Sequence, residues 1–230
     1  MFGEQASYFV TGTDTEVGKT FATCALLHAA RAQGRRALAM KPIAAGTDAE
    51  GRNEDVEKLI AASSFAAPRE LVNPYCFAEP IAPHIAASRE GRTIKKQVIL
   101  DAYRQLADQS DVLLVEGVGG FRVPLGDGFD SADLARALDL PVILVVGLRL
   151  GCLNHALLTA EAVERRGLTL AGWIANGIDP AMPYREENIA ALRQRLSAPL
   201  LGILPWLAGA DAAAASRHLS LDKDRWPRSR

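Results

Sequence analysis

The stretch Tyr8-Phe9-Val10-Thr11-Gly12-Thr13-Asp14-Thr15-Glu16-Val17-Gly18-Lys19-Thr20 is a short apolar strand running into a loop that closes on Gly-Lys-Thr. Small residues let backbone N–H groups turn inward around a phosphate, and the helix that follows adds the positive end of its dipole. In that setting Lys19 reaches the β- and γ-phosphates of a nucleoside triphosphate, and the Thr20 hydroxyl ligates a magnesium ion. The alanine- and leucine-rich run Phe21 to Ala32 supplies the helix. An ordinary strand-to-helix turn gives no reason for Gly-Lys-Thr at the helix start. The spacing is unusual: five residues separate Gly12 from Gly18, one more than in the general phosphate loop, so Thr13 holds the standard first-glycine position.

Outward from this loop, short apolar runs alternate with helical segments. Strands are predicted at Tyr8–Thr11, Ala37–Lys41, Val112–Glu116, Val142–Gly147, Leu170–Asn176 and Leu200–Leu204. Helices are predicted at Lys19–Gln33, Asn53–Ser63, Ile94–Gln109, Ser131–Ala137, Leu153–Arg166 and Arg185–Arg195. Strands without polar alternation are buried on both faces, which requires a parallel sheet covered by helices on each side. The expected fold is therefore α/β, a single-domain doubly wound parallel sheet, with ligands at the carboxyl ends of the strands. Ala67 to Pro83, rich in proline, reads as an ordered loop across the sheet, and 208–230 as a weakly ordered tail.

The 230 residues suit one large domain. A net charge of −1 gives no bulk electrostatic reason for a nucleic-acid or membrane partner. No signal peptide and no membrane span is expected. The three cysteines, Cys24, Cys76 and Cys152, lack metal-ligand spacing, and their odd number argues against a disulfide framework, so a reducing cytoplasm is the expected setting.

Several strand ends carry chemistry. Lys41-Pro42 ends one strand, where a second cation near Lys19 would stabilise charge developing on a transferred phosphoryl group. Glu116, followed by Gly117-Val118-Gly119-Gly120, ends another and is the expected second anchor for magnesium. Asn53-Glu54-Asp55 opens a helix; its residues serve equally well as an N-cap with dipole-complementing acids or as a further metal carboxylate. Asn176-Gly177 ends a strand with an amide that matches the adenine edge, although Asn-Gly is also a common turn. The run Gly147 to His155 leads into a helix whose N–H groups could receive a carboxylate. His84 and His155 could be general bases, but isolated histidines are more often structural, and Cys152 has no visible activating partner.

Together these segments resemble the dethiobiotin synthetase family of the P-loop NTPase superclass. The matching residues are Thr11 to Thr20, Lys41-Pro42, Asn73-Pro74-Tyr75, Ala78-Glu79-Pro80 with Pro83-His84, and Val115-Glu116-Gly117 with Gly119-Gly120. Further along come Leu150-Gly151-Cys152 with Asn154-His155, Leu170-Ala171-Gly172-Trp173, and Pro205-Trp206-Leu207. The wider Gly12–Gly18 spacing is typical of that family. The resemblance implies an ATP-dependent cyclo-ligase of biotin synthesis that converts 7,8-diaminopelargonate and CO2 to dethiobiotin through a carbamate and a carbamic–phosphoric anhydride.

By position, the resemblance makes Lys41 the catalytic lysine, assisted by Lys19, and sets Thr20, Asp55 and Glu116 around magnesium. Glu16, Val17, Gly18, Lys19, Thr20 and Phe21 would hold the phosphates. Asn176 and Gly177 would meet the base, with Gly119, Pro205, Trp206 and Leu207 lining the nucleotide. Thr15 and Lys41 would face the diamine. The family is homodimeric, and a partner loop, here Gly151, Cys152, Leu153 and Asn154, would bind the substrate carboxylate.

Ala45 departs from the family, which commonly has a serine there that contacts substrate. A partitioning-type ATPase switch is the main alternative of another class, but such proteins carry a lysine five residues before the loop lysine, where this chain has Asp14. A related amidating synthetase would need an amidotransferase domain, for which there is no room.

Overall fold

The valine- and leucine-rich runs pair edge to edge, as strands without polar alternation must if both faces are to leave water. The computed structural model describes residues 5–206, 209 and 211–220. In chain order, β1 (Ala6–Gly12) runs into α1 (Lys19–Ala32), followed by β2 (Ala37–Met40), β3 (Ile43–Ala45) and α2 (Glu54–Ala62). Next are α3 (Arg69–Val72), β4 (Tyr75–Phe77), α4 (Pro83–Arg89), α5 (Lys96–Ala107) and β5 (Val112–Glu116). A short hairpin, β6 (Pro124–Gly126) and β7 (Phe129–Asp130), precedes α6 (Ser131–Leu138) and β8 (Val142–Gly147). The chain continues through α7 (Cys152–Arg165), β9 (Leu170–Asn176), α8 (Arg185–Arg195), β10 (Leu200–Leu204) and α9 (Ala212–Ala215).

Six of these strands form one parallel sheet in the order β10-β9-β8-β1-β5-β2. Alternate residues serve its two faces. Phe9, Leu113, Leu144 and Trp173 pack on one side with α5, α6 and α7. Tyr8, Val10, Leu114, Val145 and Ile174 pack on the other, chiefly against α1. Strand order reverses beside β1, so the crevice at the carboxyl ends opens where the phosphate loop begins.

The register explains the first contact of the site. Met40 pairs with Val115, so the next residues on the two strands, Lys41 and Glu116, emerge side by side. The Lys41 backbone is fixed by the segment expected to be an ordered loop across the sheet. Its N–H donates to Val72 O at 2.8 Å, and its carbonyl accepts from the Asn73 amide at 2.6 Å. That segment in fact holds α3 and β4, and β4 pairs in parallel with β3. Elements of three or four residues are too short to show a period, which is why the sequence reads as loop there.

The reading of 208–230 as a weakly ordered tail needs correcting over 211–220; residues 221–230 lie outside the described residues. Residues 211–220 are not a loose tail: Asp211 caps α9, Ala215 is buried against α1, and Ser220 N–H donates to Leu201 O at 2.7 Å. Ala215, with Ala212 beside it, packs against α1, a packing that composition alone does not reveal. Among the described residues, no helix is long and apolar enough to cross a membrane.

Candidate active site

The loop from Gly12 to Thr20 takes a left-handed backbone conformation at two positions. Gly18 caps α1 at φ 79°, and Glu16 has φ 59°, an uncommon conformation for a residue with a side chain. A Cβ on Gly18 would lie 2.1 Å from the Asn176 amide nitrogen, so glycine is required by space as well as by torsion. That amide donates to Val17 O at 2.9 Å and ties the loop to the end of β9. At the other end of the loop, Thr13 N–H donates to Val145 O at 3.0 Å, and Lys19 Nζ donates to Asp14 O at 3.1 Å.

Beside the loop lies a cluster of opposite charges. Lys41 Nζ stands 2.6 Å from Glu116 Oε1 and 3.0 Å from Asp55 Oδ2. Thr20 Oγ1 donates to the same Glu116 oxygen at 2.7 Å. Glu116 is 0% exposed, and its Oε2 is buried without a hydrogen-bond partner among the described residues. Asp55 arrives on α2 because Asn53 caps that helix, accepting from Val56 N–H, while its amide clamps Gly46 O at 2.7 Å.

Protonation follows from these contacts. Burial lowers the Lys41 pKa, but the carboxylates of Glu116 and Asp55 outweigh it and hold the ammonium above its ordinary value. Burial pushes Asp55 up, but Lys41, the Thr20 hydroxyl and Lys58 together outweigh it and hold the carboxyl below its ordinary value. Lys19, without a carboxylate in contact, is brought down by burial to about 8. Burial raises the Cys24 thiol to about 12, so this cysteine is inert as a nucleophile.

The loop, Lys41 and Asp55 open into one cavity of about 620 Å³; Glu116 lies buried beside Lys41 and does not line it. Thr15, Glu16, Gly18, Lys19, Thr20, Phe21, Lys41, Asp55 and Gly119 line it, as does Ala45. Val17 is buried beneath the loop. Asn176, Gly177, Pro205 and Trp206 gather on the far side of the loop, where Gly177 N–H donates to Leu204 O and a Cβ on Gly177 would meet Trp206 N at 3.0 Å. Leu207 lies outside the described residues. Gly151, Cys152, Leu153 and Asn154 do not line the cavity; they open α7, with Gly151 at φ 95° and Leu150 beside it almost wholly exposed.

Sequence reasoning missed two contributors. Asn73 sets Lys41 from 32 positions away; it stood only within the matching run Asn73-Pro74-Tyr75, with no role given to it. Arg149 pairs with Asp14 at 2.5 Å across 135 positions, with no local signal.

The oxygen donors Thr20, Asp55 and Glu116 suit a hard divalent cation, and the unpartnered Glu116 oxygen leaves a lone pair for one. A glycine-gated loop at the head of a helix, two lysines and this donor set together define a phosphate-loop nucleotide-binding protein. The AAA domain family matches residues 6–214. A protein from Aromatoleum aromaticum named ATP-dependent dethiobiotin synthetase BioD is 60% identical over 95% of this chain and 98% of its own. Relatives of the same name from Nitrosospira multiformis and a Janthinobacterium species are 54% and 52% identical, over 95% and 96% of this chain and 96% and 97% of their own. The chain belongs to the ATP-dependent dethiobiotin synthetase family.

Similarity in solved structures reaches wider and concerns the fold alone. The MinD cell division protein of Aquifex aeolicus is 16% identical with a TM-score of 0.54, over 93% of this chain and 87% of its own. Chloroplast FtsY from Physcomitrella patens is 18% identical with a TM-score of 0.54, over 95% of this chain and 66% of its own.

Proposed function

We propose that this chain, working as one domain in a reducing cytoplasm, is an ATP-dependent ligase that closes the ureido ring of dethiobiotin on 7,8-diaminopelargonate. The observation that carries the reading is the buried Lys41 ammonium, held between Glu116 and Asp55 at the mouth of the phosphate loop. The reaction must bring two anions together, a carbamate and a triphosphate, and their repulsion is the main electrostatic obstacle.

One amino group of the diamine adds to CO2, forming a C–N bond and losing a proton. The carbamate oxygen attacks the γ-phosphorus, and the bond to the bridging oxygen breaks to release ADP. The second amine attacks the carbamoyl carbon, phosphate leaves, and the ring closes with loss of a further proton. Lys19 and Lys41 supply positive charge where the two anions meet, in a cavity wall that excludes much of the water. Magnesium held by Thr20, Asp55 and Glu116 would neutralise phosphate charge.

The loop N–H groups from Glu16 to Phe21 cradle the phosphates. Asn176, Gly177, Pro205, Trp206 and Gly119 hold the rest of the nucleotide, and Thr15 faces the diamine. We further propose a homodimer, in which Gly151 to Asn154 of one subunit receive the carboxylate of the diamine bound to the other. Leu150, almost wholly exposed beside that run, would be covered in such an interface.

Purified protein given ATP, magnesium, bicarbonate and 7,8-diaminopelargonate should release phosphate only with the diamine present and form a cyclic urea. Phosphate release indifferent to the diamine would instead favour an ATPase switch.

A further inference from the structure

We propose that Arg149 is a positioning residue of the phosphate loop, acting through Asp14. The Arg149 backbone is anchored on both sides. Leu148 is 0% exposed and its N–H donates to Asn176 O at 2.8 Å, while Arg149 O accepts from Cys152 N–H at 3.0 Å. From this fixed stem the guanidinium reaches Asp14, with Nη2 2.5 Å from Oδ2.

Asp14 uses both its side chain and its carbonyl in holding the loop. Oδ2 takes Arg149, Oδ1 accepts the Thr15 N–H at 2.7 Å, and the backbone oxygen accepts Lys19 Nζ at 3.1 Å. Its carboxylate thus sets the amide of Thr15, and its peptide sets the ammonium that reaches for phosphate. Without Arg149 the same carboxylate would be a lone anion in a loop shaped for a polyanion. The phosphate loop is therefore held from two neighbouring strand ends, by Asn176 at Val17 and by Arg149 at Asp14.

Arg149 is also two residues from Gly151, at the head of α7. The inference rests on the loop binding a nucleotide, and not on which reaction follows. The experiment is a mutant cycle read by calorimetric ADP binding without diamine or metal, beside diamine-dependent phosphate release. Arg149→Met and Asp14→Asn should each weaken ADP about fivefold, the upper end for a half-exposed ion pair. The double variant should lose no more than either alone. Arg149→Lys should recover to within about twofold, and the difference between wild type and Arg149→Met should shrink in molar salt. Thermal midpoints should fall by no more than about 2–4 °C, the scale of one such pair. Unchanged ADP binding in Arg149→Met, losses that multiply in the double variant, or a midpoint lowered well beyond that scale would overturn the assignment. Failure of the ligase reading would appear separately, as diamine-independent phosphate release with the ADP cycle intact.

Discussion

Replacing Lys41 with methionine tests both the energetics and the chemistry of the site. The ammonium side chain is 5% exposed, and its partners differ sharply, with Glu116 at 0% and Asp55 at 44%. On loss of the lysine, Asp55 can return to water, but Glu116 cannot. Breaking a buried pair from one side costs about 3–5 kcal/mol, mostly from the charge left behind. The hydroxyl of Thr20 still donates to Glu116, so the low end, roughly 3 kcal/mol, is expected. In a chain of this size that lowers the thermal midpoint by about 6–12 °C. Adding Glu116→Gln should restore at least half of the loss, because the stranded charge is gone. Turnover should fall by about 100-fold or more, the scale for deleting one group that stabilises transition-state charge. ADP binding, which uses the loop, should stay within about threefold of wild type, a shift of under 1 kcal/mol. Calorimetric unfolding, ADP titration and phosphate release measure the three quantities. A stability loss under 1 kcal/mol, or no recovery in the double variant, would refute the stranded-charge argument; near-normal turnover would remove Lys41 from the mechanism.

Three further outcomes are expected. Because burial holds Lys19 down at about 8, from 10.5 in the open chain, the unliganded loop loses this charge as pH rises past 8. Triphosphate favours the protonated form, so ATP affinity should fall roughly tenfold per pH unit above that point, and an affinity flat to pH 9.5 would contradict it. Between about 8 and 10.5 the unfolded chain binds more protons than the folded one, so the contribution of Lys19 makes stability rise with pH across this window. Gly18→Ala should displace Asn176 from Val17 and strain φ, weakening ADP by the equivalent of about 1–3 kcal/mol in titration; wild-type affinity would show that the loop adapts. Ala45→Ser adds a hydroxyl to the cavity wall and should lower KM for the diamine by about 2- to 13-fold, from roughly 0.5–1.5 kcal/mol per hydrogen bond, with an unchanged KM counting against a substrate contact there.

The six main strands were legible as apolar runs, and α1, α2, α5, α6, α7 and α8 as helix-forming stretches between them; α3, α4 and the hairpin β6–β7 were not. The misread parts were short. Three-residue β3 and β4 carry no period, and the alanines of α9 look like a tail until α1 is there to receive them. Helix ends moved by a residue or two, as with α5, which spans Lys96–Ala107 instead of Ile94–Gln109, because the flanking residues make turns that sequence does not separate from helix.

What the sequence determined by itself was local: the glycines that permit the loop, the lysine and threonine that must follow them, and the apolar runs that must be strands. Those depend on torsions, spacing and burial along one stretch of chain. What the tertiary structure alone decided was which distant residues meet. Parallel register puts Lys41 beside Glu116, Asn73 fixes the Lys41 carbonyl, Asn176 fills the space that Gly18 leaves, and Arg149 reaches Asp14. Each is a contact between strand ends or loops far apart in sequence. Only the closing of the sheet, driven by burial of its two faces, brings such groups within hydrogen-bonding distance.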